Sequence, residues 1–115
     1  MSKYRNKKAK RDGIIFDSQL EETRYCQLKI LERAKEIKDL RRQVPFELQP
    51  KYKKGNKTIL PINYIADFVY YDIKKHKIII EDTKGFKTEI YKLKKKIFEY
   101  VYPNLEITEI TKKDI

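Results

Sequence analysis

The chain lacks the residues that several functions require. Of its 115 residues, one is cysteine, Cys26, and one is histidine, His76. A single thiol closes no internal disulfide, which excludes a disulfide-stapled secreted domain. One Cys and one His cannot build a zinc cluster. They also leave no Cys/His or Ser/His triad unless His76 serves, and His76 stands in the lysine-rich stretch Lys74-Lys75-His76-Lys77. Apolar runs extend only a few residues, so no segment is expected to span a membrane. The N-terminus is charged without an apolar stretch behind it, unlike a signal peptide. No repeat and no Gly/Ser linker divides the chain. The expectation is one domain in a reducing, cytoplasmic compartment.

Positive charge is abundant. Lys and Arg number 28 against 17 Asp and Glu, a formal charge of +11 with a pI near 9.6. Residues 1–12 alone carry net +5 and read as a flexible basic arm, with the domain proper at 13–115. Such a balance points to a polyanionic partner, most simply nucleic acid. Compositional bias of the source genome is the alternative explanation.

Hydrophobic spacing gives the order of elements. Gly13 to Phe16 reads as a short extended entry. Ser18-Gln19-Leu20-Glu21 matches a capping box opening a helix that runs to about Ile37, with Leu20, Leu28, Leu31 and Ala34 on one stripe. Alternation puts Leu40, Val44, Phe46 and Leu48 largely on one face of a strand that Pro45 pushes towards an edge or a bulge. Pro50 to Pro61 reads as a loop. Ile62 to Asp72 and Ile78 to Gly85 read as strands. Thr88 to Val101 reads as a helix with Ile90, Leu93, Ile97, Tyr100 and Val101 on one face, and Leu105 to Ile110 as a last strand. The expected fold is α-β-β-β-α-β, a mixed sheet flanked by helices, of the α/β (α+β) class.

The chemistry concentrates in Ala66-Asp67-Phe68 and Glu81-Asp82-Thr83-Lys84-Gly85. Acids inside apolar strands are expensive to bury without a compensating cation. A hairpin centred on Lys74-Lys75 sets Asp67 opposite Asp82, with Lys84 on the same face as Asp82 and Glu81 on the other. Two facing carboxylates can hold Mg²⁺, a hard ion that prefers oxygen, and a neighbouring lysine can stabilise charge on a phosphoryl group. An Asp–Lys salt bridge on a solvated face explains the same residues without a metal. Glu21 lies at the margin of the first helix's buried stripe and adds a third acid. It equally fits the third position of the capping box, and both roles stay open.

These residues resemble the PD-(D/E)XK nuclease superfamily, whose core order is the one read above. The blocks Tyr4-x-Asn6-Lys7, Asp12-Gly13-Ile14-x-Phe16-Asp17-Ser18-x-Leu20-Glu21, Gln43-x-x-Phe46-Glu47-Leu48, Ala66-Asp67-Phe68 and Glu81-Asp82-Thr83-Lys84-Gly85 together resemble a family of small phage-borne endonucleases related to Holliday-junction resolvases. The resemblance covers nearly the whole chain, although Ala66 stands where the named motif has proline. It implies a metal-dependent, structure-selective DNA endonuclease acting on branched DNA in phage recombination, inside a bacterial host. It further implies Asp67, Asp82 and Glu21 as ligands of Mg²⁺ or Mn²⁺, Lys84 as the motif lysine and Gln43 as a polar residue near the site. Two coordinated cuts at a four-way junction would suit a homodimer.

The surface for DNA is expected at Lys92, Lys95 and Lys96 on the second helix, at Lys87 and Thr88 before it, and at Lys53 and Lys54 in the Pro50–Pro61 segment. Two other readings compete. One is a non-catalytic basic DNA-binding protein, the other a nuclease subunit active only within a larger assembly.

Overall fold

Ser18 starts the first helix as expected: its side chain accepts from Glu21 N, and α1 runs over Gln19–Arg33 in the computed structural model, which describes residues 8–115. Lys3, Arg5 and Lys7 of the basic arm, and the Tyr4-x-Asn6-Lys7 block, lie outside the described residues. Before α1, β1 (Ala9–Arg11) pairs with β2 (Ile14–Phe16) through an Asp12-Gly13 turn, both turn residues having positive φ. Arg11 also donates to Glu22 of α1, so the arm's last residues belong to the fold.

Helix α1 ends four residues earlier than its spacing suggests. Lys35 N donates to Glu32 O and Glu36 N to Leu31 O, with Lys35 at φ +62°, a Schellman turn built without glycine. The absence of glycine is why the end is not visible in the sequence. The buried stripe is Glu21, Tyr25 and Leu28; Ala34 is exposed and caps the helix.

The main sheet has the order β3-β6-β7-β8, from β3 (Ile37–Gln49), β6 (Ile62–Asp72), β7 (Lys77–Thr83) and β8 (Ile107–Ile110). The first two pairings are antiparallel and β7 runs parallel to β8, the crossover being α2 (Glu89–Val101). With α1 in front, the core order is α-β-β-β-α-β, a mixed α+β fold. The pairs Val69↔Ile80 and Asp72↔Lys77 have the register expected of the Lys74-Lys75 turn, and the ladder stops at Phe68↔Glu81. The Pro50–Pro61 segment is not an open loop. β4 (Tyr52–Lys54) and β5 (Lys57–Ile59) form an exposed hairpin in which Gly55, at φ +60°, opens the turn.

The sheet separates two cores. On one face Phe16, Tyr25, Leu28, Ile37, Phe68 and Tyr70 pack beneath α1. On the other Leu48, Tyr64, Ala66, Val69, Ile80, Phe98 and Ile107 pack beneath α2. Two strands change allegiance midway. Leu40 packs with the α1 core, whereas Val44 and Phe46 pack with the α2 core. Likewise Phe68 belongs to the first core and Ala66 to the second. The switch falls between Arg42↔Phe68 and Val44↔Ala66, where Gln43 has φ +51°. Regular alternation would keep residues two apart on one face, so the single face expected for Leu40, Val44, Phe46 and Leu48 is corrected here.

Helix α2 is also rotated from expectation. Tyr91 and Phe98 are its buried residues, while Ile90, Leu93 and Tyr100 are 67%, 57% and 87% exposed. Its orientation is fixed by Glu109 on β8, which accepts from Tyr91 Oη at 2.7 Å and from Lys95 Nζ at 3.3 Å.

Candidate functional site

The place where the strands change face is where the expected site residues gather. Asp67 Oδ2 accepts from both the backbone N and the Oγ1 of Thr83, each at 2.8 Å. Its Oδ1 accepts from Gln43 Nε2 at 3.3 Å, and the same amide nitrogen donates to Glu21 Oε2 at 3.0 Å. The left-handed Gln43 backbone therefore sets one side-chain amide between two acids from different elements. Arg42 donates to Glu21 from the adjacent position, at 3.0 Å, with its guanidinium over the Phe16 ring.

Asp82 is 3% exposed. Its Oδ2 accepts from Tyr64 Oη at 2.6 Å. Its Oδ1 forms an ion pair with Lys84 Nζ at 2.8 Å. Lys84 in turn rests over the Tyr91 ring, 4.1 Å from its centroid. Burial, and then the charge of Asp67, raise the Asp82 carboxyl above the usual carboxylate range, against the opposing pull of Lys84 and Tyr64. Glu21 is raised for the same two reasons in the same order, against Arg42. Asp67 thus acts electrostatically on both neighbours. Among the described residues, no group of three or more acidic, histidine or cysteine side chains is drawn together tightly enough to hold a metal ion.

Glu81 faces α1, where Arg24 grips both its oxygens at 2.7 and 2.6 Å and Tyr70 Oη donates at 2.5 Å. It is a closed structural pair and plays no part in the acid cluster.

Glu21, Gln43, Asp67, Asp82 and Lys84 are therefore brought together from α1, β3, β6 and the end of β7. The residues expected to meet DNA are more dispersed. Lys87 and Lys95 both engage Glu109, at 2.8 and 3.3 Å, and Lys92 pairs with Glu89. Thr88 caps α2, accepting from Tyr91 N. Lys96 is exposed, with no ion pair to a described residue, and Lys53 and Lys54 lie on the β4–β5 hairpin. Sequence reasoning missed Arg42, Thr83, Tyr64 and Tyr91 as partners of the acids. Both tyrosines are buried, and their polar ends gave no signal in the spacing.

The fold and its acid cluster thus define a mixed α+β protein whose charged site sits at a seam between two cores. Residues 1–114 match the family described as DUF1064, protein of unknown function, and the chain belongs to that family. Comparison with curated proteins and with solved structures gives no match.

Proposed function

We propose that this protein is a metal-dependent, structure-selective DNA endonuclease that hydrolyses phosphodiester bonds, with branched DNA, such as a four-way junction, as substrate. One observation carries the reading: Asp82 and Glu21 are buried within reach of a third negative charge, Asp67. Arg42 and Lys84 offset part of that charge, and a divalent cation would offset the rest. The donor set suits a hard divalent ion. Mg²⁺ commonly takes one or two carboxylates and keeps several waters, so Asp67 and Asp82 would suffice. Bound there, Mg²⁺ or Mn²⁺ would neutralise charge on a phosphoryl oxygen and make a bound water more acidic.

The chain's own residues have separate tasks. Tyr64 fixes the orientation of Asp82, and Thr83 that of Asp67. Gln43 holds Asp67 and Glu21 at a set separation. Lys84, supported on Tyr91, offers its ammonium to the charge that develops on the phosphate. The reading also draws on the resemblance to PD-(D/E)XK nucleases, which brings with it a two-fold dimer as the form acting on a four-way junction.

A second reading, a non-catalytic DNA-binding protein, has its own support. Arg42 on Glu21 and Lys84 on Asp82 already partner both buried acids without a metal. The deciding experiment incubates supercoiled plasmid, a four-way junction and a flap with the protein and Mg²⁺ or Mn²⁺, with Asp82→Asn as control. Metal-dependent cutting by the wild type, lost in the variant while DNA binding persists, is expected. If no DNA form is cut with either metal, the non-catalytic reading replaces this one.

A further inference from the structure

Strands β7 and β8 are parallel, so both chains leave the sheet at one edge; Lys84 N, just past β7, donates to Ile110 O at 2.9 Å. The segment after β7 brings Lys84 and Lys87 to this edge, and the segment after β8 brings Lys112 and Lys113. Opposite them lies the first turn of α1, Ser18 to Leu20. Together these border an open cleft of about 920 Å³ that no Asp or Glu side chain lines. Two of its four lysines are committed: Lys84 to Asp82 and Lys87 to Glu109. Lys112 and Lys113 form no ion pair with any described residue, and the Asp114 carboxylate beside them is taken up by Thr111 N and Oγ1. The cleft therefore carries net positive charge and opens beside the acid cluster, with Lys84 common to both.

We infer that this cleft is the track for the nucleic-acid backbone running out of the acid site, with Lys112 and Lys113 each facing a phosphate. The inference rests on the nuclease reading for the identity of the polyanion. Sequence spacing gave these two lysines no role, because nothing local shows that the chain's last turn lies beside Lys84. The helix end contributes the positive end of its dipole to the same wall. A track with two free ammonium groups grips phosphates without reading bases.

The test measures DNA binding in chelator, where no cutting occurs, as the slope of log K against log salt concentration. Each phosphate neutralised contributes about 0.7 for a single strand and about 0.9 for a duplex. The variant Lys112→Gln/Lys113→Gln is expected to lower the slope by about 1.4–1.8. The control Lys74→Gln/Lys75→Gln removes the same charge from the β6–β7 turn, at the other end of β7, and is expected to leave the slope within about 0.3 of wild type. An unchanged slope in the first variant, an equal fall in both, or no binding by the wild type overturns the inference. A protein that cuts no DNA yet loses slope only in the first variant overturns the nuclease reading and leaves the track standing.

Discussion

At the scale of single residues, burial and the charge of Asp67 raise the Asp82 carboxyl, and Lys84 and Tyr64 offset this only in part. Asp82→Asn keeps an oxygen for Tyr64 while removing one charge facing Asp67. The variant should melt above the wild type in chelator. Mg²⁺ at a hundredfold excess over its Kd should stabilise the wild type by ~1–3 kcal/mol and leave Asp82→Asn unchanged. Differential scanning with and without metal reads both effects. Glu109 behaves in the opposite sense. Lys87, then Tyr91 and Lys95, hold its carboxyl down at about 2, against an ordinary value of 4.5. A carboxyl lowered on folding contributes stability that is complete above its unfolded value and is lost as pH falls through the folded one. Glu109→Gln should therefore flatten the fall in stability between about pH 4.5 and pH 2, seen as a shallower dependence of urea midpoint on pH.

At the scale of elements, legibility followed how local each cause is. Ser18 and Thr88 cap their helices through bonds within three residues, and both starts were readable. The β6–β7 register was readable because a short turn fixes it. The end of α1 was not, because Lys35 adopts a conformation that favours glycine. Lys35→Gly should relieve that strain and stabilise the fold by about 0.5–1 kcal/mol, measured by chemical denaturation. The rotation of α2 was hidden for a different reason. Its Ile90–Leu93 stripe is the more apolar side, but Glu109, a residue from the following strand, pins the Tyr91 side inward. Cross-strand arithmetic set Asp67 opposite Asp82, but the ladder ends at Phe68↔Glu81 and Asp67 instead accepts from Thr83, so the direct pair does not form. The groups that orient them, Tyr64 and Thr83 among others, needed three-dimensional placement.

At the scale of the whole molecule, the β4–β5 hairpin stands apart from both cores. No residue from Tyr52 to Ile59 belongs to either buried cluster. Replacing residues 51–60 with a two-residue Asn-Gly turn should leave cooperative melting intact. The same excision should lower the salt slope of DNA binding by about 1.4–1.8 if Lys53 and Lys54 each meet a phosphate. A loss of cooperative unfolding would show instead that the hairpin supports the sheet.

The exchange of faces at Gln43 and Asp67 has a further consequence. Register is the same on both sides of this pair: Arg42 meets Phe68 and Val44 meets Ala66. Between Arg41 and Glu47 of β3 and between Asn63 and Val69 of β6, each strand therefore behaves as an ordinary alternating strand with one additional residue, and the two additions lie opposite each other. Removing either residue alone would slip the strands by one position and turn one segment's apolar side outward. Removing both would restore simple alternation between Arg41 and Glu47 and between Asn63 and Val69, with Arg42 still facing α1 and Val44 and Phe46 still facing α2. The double deletion should consequently be better tolerated than either single one, read as the midpoint of chemical denaturation.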